Sequence, residues 1–307
     1  MTNGLSAAAQ PHAGVAEPAP DRIVSVSMAP YDGYHLAQAL ASLASIGATH
    51  VEPAFIVGYT DPFTEDAFLP ERAAQFRRQV EASGLGCLAM SSHMDLGAPG
   101  ALEIFTRRME FAAGIGARVI ATNAAIRPNA AAFFSSMETL VPLAERLGIV
   151  IALENPGDGR DNVFNTAADG LELVARFGSP HVRLNYDAAN TASHRPSFGD
   201  FAADAILALP ASAHAHIKDL CATDKGWFFT PIGDGVIGCD RILDALVQYR
   251  GLPVSIEMPL RFHRNAKAQP VRREQPVPLA EIEAALSRSL AFVRERLGRN
   301  QGRGRLP

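Results

Sequence analysis

Apolar residues along this chain follow two alternating rhythms. Stretches such as ALEIFTRRMEFAAGIG and AAFFSSMETLVPLAERLG place them at three- and four-residue steps, the period of a helix packed along one stripe. Each such stretch passes through a glycine into a short apolar run. The junctions read SIGATHVEP, ASGLGCLAM, GIGARVIAT, RLGIVIALE, RFGSPHVRL and YRGLPVSIE. Their glycines are Gly47, Gly84, Gly116, Gly148, Gly178 and Gly251, spaced by 37, 32, 32, 30 and finally 73 residues, the last gap spanning two units. A glycine just past a helix end adopts the left-handed cap without steric cost. The run after it has the β-branched character of a strand buried on both faces.

Extending this rhythm predicts eight strands, starting near Ile23, His50, Leu85, Arg118, Ile149, Val182, Ala213 and Pro253. Eight strand–helix units predict a single (β/α)8 TIM barrel over residues 21–297, with its chemistry at the C-terminal ends of the strands. The rival is a doubly wound open sheet. That fold usually carries a glycine-rich phosphate turn after its first strand, and SMAPYDGYH contains no GxGxxG. Residues 1–20, rich in Ala and Pro and without an apolar core, read as a disordered leader and not a secretory signal. The segment 298–307, GRNQGRGRLP, reads as a flexible tail.

Composition narrows the function. A net charge of −4 argues against a nucleic-acid partner. No apolar run approaches the roughly 20 residues needed to cross a bilayer. Cys87, Cys221 and Cys239 form no CxxC pair, which suits a reduced cytoplasmic protein.

Four successive strand-like runs in the second half each end in a metal-capable side chain. They are IVIALEN with Glu154, VRLNYD with Asp187, AHAHIKD with His216 and VSIEMP with Glu257, spaced by 33, 29 and 41 residues. If these strands are parallel neighbours, three carboxylates and one imidazole meet at one end of the sheet. Such a donor set suits a hard divalent cation. A buried strand-end carboxylate is otherwise costly unless paired.

The motifs ALENP, NYDAAN, HIKD followed by PIGDGVI, and SIEMP resemble those of the xylose isomerase-like barrel superfamily, from about Ile23 to Leu297. That group includes sugar isomerases and epimerases and the endonuclease IV relatives. The resemblance implies that Glu154, Asp187, His216 and Glu257 bind one divalent ion, Mn²⁺ foremost, with Mg²⁺ or Co²⁺ as alternatives. It also implies that Glu154 and Glu257 handle protons. The expected reaction is isomerisation or epimerisation of a sugar or keto-sugar by proton abstraction beside a metal-bound carbonyl. Alternatives are a lyase or dehydratase acting on a keto-sugar or inosose, including cleavage of oxidised C-glycosides, and a non-catalytic sugar-binding partner. Homo- or hetero-oligomers are expected. The chain departs from the pattern at Asn190, where many members carry histidine after Asp187-Ala-Ala. An endonuclease-like three-zinc site is disfavoured: Asn123 stands where strand four would need histidine, and Asp234 has no histidine after it.

Other candidates are weighed against blander roles. His93, ending strand three, is an acid/base candidate or a structural histidine. Glu52, Asn123, Asn190 and Trp227 are substrate-binding candidates, with Glu52 equally able to salt-bridge a loop. Lys218 is expected to turn away from His216 and pair with Asp219, and His214 to pack deeper in the barrel. Few basic residues fall at strand ends; Arg127, Arg195 and Arg261 are the exceptions that would favour an anionic substrate. The basic segment 261–277 is a lid, a subunit contact or a solvated loop.

Overall fold

The computed structural model describes residues 22–57, 60 and 62–303, without side chains from 299 onward; the predicted leader and residues 304–307 lie outside these. A nine-stranded parallel sheet runs around the centre, but Gly86–Cys87 and Ala89–Ser91 are successive halves of one strand interrupted at Leu88. The ring therefore has eight positions: β1 (Val24–Ser27), β2 (His50–Glu52), the interrupted β3, β4 (Val119–Asn123), β5 (Val150–Glu154), β6 (Val182–Asp187), β7 (Ser212–Ile217) and β8 (Val254–Ile256). β1 pairs in parallel with both β2 and β8, while the two halves of β3 pair with β2 and β4. The closed barrel is thus the predicted one, and every strand begins within one residue of its predicted start.

Helices wrap the outside, and the large apolar core lies between them and the sheet. Five of the six junction glycines hold the expected positive φ; Gly251 does not, because its helix already ends at Leu246 and a turn intervenes. The last helix, Leu279–Arg303, continues through the start of the predicted tail.

Inside the ring the filling is different. Ala89, Val119 and Ala152 form a small apolar plug apart from the main core. Further along the strands, side chains that share this inward face by the two-residue period include Ser91, Asn123 and Glu154, so the lumen turns polar toward the C-terminal end. Register aligns this end: Asn123 lies opposite Glu154, Glu154 opposite Asn185, and Asp187 opposite His216. A bulge on β7 slips the register between Leu184 and Asn185, so that His214 opposes Asn185. The extra residue re-aims the strand, a frequent use of bulges beside functional sites.

A second, four-stranded antiparallel sheet is built from segments that follow β7 and β8. Its order is Pro270–Arg272, Phe262–Arg264, Gly226–Thr230 and Asp219–Thr223. The basic 261–277 segment is therefore strand-forming, paired with the aromatic segment through Trp227–Arg264 and Phe228–His263. Buried Asp32 anchors it from the β1 side, accepting from Arg272 at 2.7 and 2.8 Å and from Arg261 at 3.2 Å. No helix among the described residues is long and apolar enough to cross a membrane.

Candidate metal centre and its pocket

Glu154, Asp187, His216 and Glu257 are all buried, and each presents one ligand atom such that these atoms lie within 4.8 Å of one another. His216 Nδ1 stands 3.0 Å from Glu154 Oε2, 3.4 Å from Glu257 Oε2 and 4.0 Å from Asp187 Oδ2. Asp187 divides its work. Its Oδ1 caps the short helix Ala188–His194 by accepting from the amides of Ala189 and Asn190, which turns Oδ2 to the cluster.

The donors fit a divalent cation. Asp187 Oδ2 and Glu257 Oε2 are enclosed yet make no well-angled hydrogen bond, and both are met instead by the Lys218 ammonium, at 2.6 Å for Asp187. Buried acceptors left in that state are open to a cation. Carboxylate oxygens with one imidazole nitrogen suit Mn²⁺, Mg²⁺ or a similar ion.

The orientation of His216 is set from below. Its Nε2 lies 3.0 Å from Glu52 Oε1, so Nε2–H donates to that carboxylate and Nδ1 faces the cluster. Ser91 Oγ also donates to Glu52. Burial would raise the Glu52 pKa, but His216 and His214 outweigh it and hold the carboxyl well below its usual range. Burial likewise opposes charge on His216, yet Glu154, Glu52 and Glu257 prevail and raise its pKa well above the ordinary value. His214 is deeper, as expected, with Nδ1 2.9 Å from Asn185 Oδ1; burial lowers its pKa to about 4, so it is neutral. Glu52, His214 and His216 make a second group of convergent ligand atoms one layer down.

Above the cluster opens a cavity of about 300 Å³ whose wall includes His93, Asn123, Glu154, Asn190, Lys218 and Glu257. His93 Nε2 lies 3.7 Å from Glu154 Oε2 and makes no hydrogen bond. Asn123 faces the cavity beside the Glu154 carbonyl. Asn190 also lines it, but its amide already donates to Glu154 Oε1 at 2.9 Å and to the Asn155 carbonyl at 3.0 Å.

Two of the expected substrate contacts are placed elsewhere. Glu52 is fully buried, does not line the cavity and serves His216. Trp227 is half-buried in the antiparallel sheet, whereas Phe229, on the same side of that strand and two residues on, reaches the cavity. Arg127 is bound to Asp161 and Arg261 to Asp32, so the cations at the cavity wall are Arg160, Lys218 and Arg264.

Lys218 corrects the sequence reading most directly. It follows His216 by two residues and shares its face, so it enters the site and does not pair with Asp219. Asp219 instead accepts from the amides of Gly233, Gly235 and Ile237. Asn185 joins the site without having been a sequence candidate: its amide donates to Glu154 Oε2, and its Oδ1 holds His214. Its inward parity with Asp187 was the available signal.

The sequence matches the family described as "Xylose isomerase-like TIM barrel" over residues 40–285, and the chain belongs to that family. No curated protein matches it. Among solved structures it is similar to a D-psicose 3-epimerase determined in the presence of D-fructose, at 17% identity and TM-score 0.68, covering 90% of this chain and 99% of that one. A xylose isomerase-like barrel protein from Mycobacterium smegmatis in complex with magnesium gives 16% identity and TM-score 0.66, with 89% and 98% covered. The 3-keto-D-glucoside 4-epimerase of E. coli gives 15% identity and TM-score 0.63, with 89% and 99% covered. Likenesses at this identity establish the fold.

Proposed function

We propose that this member of the xylose isomerase-like TIM barrel family is a divalent-metal-dependent sugar isomerase or epimerase. The observation that carries the reading is the convergence of Glu154, Asp187, His216 and Glu257, two of which, Glu154 and Glu257, line the cavity. At about 300 Å³ that cavity is at the small end of ligand pockets, suited to a monosaccharide-sized ligand. The likeness to proteins named as ketose and keto-glycoside epimerases supports the substrate class.

A divalent ion held by these four side chains would polarise a carbonyl and lower the pKa of the adjacent C–H. The chain's own residues supply the rest. Glu154 and Glu257 stand at the ends of β5 and β8, and each offers a carboxylate to remove or return a proton at that carbon. Asn190 and Asn185 fix the two oxygens of Glu154, so its orientation is set before substrate arrives. His93 stands at the wall with a nitrogen available to exchange a proton with a substrate oxygen.

A second reading is elimination from a keto-sugar or inosose. It is favoured by His93, which places an acid within 3.7 Å of the base Glu154, the arrangement needed to protonate a leaving group after C–H abstraction.

Both readings are tested by incubating the Mn²⁺-loaded protein in D₂O with ketohexoses, 3-keto-glycosides and inososes while following ¹H and ¹³C spectra. Deuterium entering beside the carbonyl with conversion to an epimer or isomer supports the first reading; a released fragment or water-loss product supports the second. Metal bound at full occupancy, with no exchange from any member of the panel, would overturn both.

A further inference from the structure

Lysine is scarce in this chain: Lys218, Lys225 and Lys267 are its only lysines among 28 basic residues. Lys225 and Lys267 are exposed, whereas Lys218 is buried within the carboxylate cluster. A compact, rotatable ammonium sits between two carboxylate oxygens as a point charge. Its Nζ touches Glu257 Oε2 and lies 2.6 Å from Asp187 Oδ2. These are the two cluster oxygens that make no well-angled hydrogen bond, and they stand 3.4 and 4.0 Å, respectively, from His216 Nδ1 in two candidate metal ligands.

We infer that Lys218 is the resident cation of the metal-free site, holding Asp187 and Glu257 together and withdrawing toward the cavity when a divalent ion takes those two oxygens. The inference rests on the metal-dependent reading above. Two cations sharing the same pair of oxygens repel each other strongly in a buried site, so the ammonium and the ion compete. The route out is short. Asn190 Oδ1 lies 3.4 Å from Nζ and the Phe229 ring centroid 5.6 Å away, and both residues line the cavity. After withdrawal the ammonium faces the cavity as a donor for a substrate oxygen, its positive charge accommodated by the Asn190 carbonyl oxygen and the ring face. Lys218 thereby acts as a positioning residue twice: it keeps three carboxylates from repelling one another without metal, and it tunes how tightly the metal is held.

The test uses the full chain with lysine labelled at Cε with ¹³C, which yields three side-chain signals; the one missing in Lys218→Met belongs to Lys218. Titration with Mg²⁺ should shift that signal and leave the Lys225 and Lys267 signals in place, and trace Mn²⁺ should broaden it selectively. By calorimetry, Lys218→Met and Lys218→Gln should bind Mn²⁺ at least about tenfold more tightly than wild type, because the competing cation is gone. In EDTA both variants should melt below wild type and recover on adding Mn²⁺. Metal heats in wild type with an unmoved Lys218 signal would overturn the inference, as would variants that bind Mn²⁺ equally or more weakly. Variants that unfold even with Mn²⁺ would count against it too, since Lys218 would then be structural. Absence of metal binding in wild type and both variants would instead sink the metal-dependent reading itself. Binding by the variants alone would overturn the inference as well, since the ion would then never displace Lys218 from the wild-type site.

Discussion

Glu52→Gln separates support of the metal ligand from ligation itself. Glu52 is fully buried, it is not one of the four cluster ligands, and it acts through His216 Nε2 at 3.0 Å. The substitution keeps the shape and an acceptor oxygen but deletes the charge. At 3.0 Å and an effective dielectric of about 20, the Glu52–His216 attraction is worth roughly 5 kcal/mol before desolvation is subtracted. Removing one member of a buried ion pair costs about 3–5 kcal/mol because the other charge is stranded. Here Glu154 and Glu257 still face His216, and glutamine retains the hydrogen bond, so a loss near the lower end, about 3 kcal/mol, is expected in the metal-free protein. Mn²⁺ affinity should also fall by about 10–100-fold, as it does when the outer partner of a ligating histidine is removed. Urea unfolding in EDTA measures the first effect and titration calorimetry with Mn²⁺ the second. Stability within about 0.5 kcal/mol of wild type together with Mn²⁺ affinity within about twofold would refute the assignment of Nε2 to Glu52 and Nδ1 to the metal.

His93→Gln should lower turnover of whichever substrate the D₂O screen identifies by about 10²–10⁴-fold while leaving Mn²⁺ binding unchanged, the loss expected when a general acid or base is removed. Asp32→Ala strips Arg261 and Arg272 of their shared carboxylate and should destabilise the protein by about 3 kcal/mol; limited proteolysis should then cut first within residues 262–272. Burial, with Glu283 assisting against the Ser42 hydrogen bond, raises the Tyr31 pKa to about 12. The unfolded chain therefore ionises first, near pH 10, and stability falls from there until about pH 12, by about 2–3 kcal/mol at about 1.4 kcal/mol per pH unit. Denaturant melts across that range should show the loss in wild type and lack it in Tyr31→Phe.

The barrel was legible because its signals are local. Each helix, glycine and β-branched run is written within about thirty residues, so the strand starts could be read to within one position. The four cluster residues were legible for a related reason: parallel strands in register bring residues at equivalent positions to one end, as Asp187 opposite His216 shows. The antiparallel sheet was not legible. Its central pair joins Trp227 to Arg264 across an intervening helix and barrel strand, and nothing local in either segment names the other. The role of Glu52 was hidden similarly, since its partner His216 lies 164 residues away. The place of Lys218 is legible locally, because its two-residue spacing from His216 puts the two on one face.

The central claim is that Glu154, Asp187, His216 and Glu257 hold one divalent ion. It is tested most directly by elemental analysis of wild type and Glu257→Gln after identical Mn²⁺ loading and desalting. The account predicts about one Mn²⁺ per wild-type chain and a content reduced severalfold in the variant, since one of three carboxylate ligands becomes a weaker neutral donor. Equal metal content in the two proteins would contradict it, as would none in either.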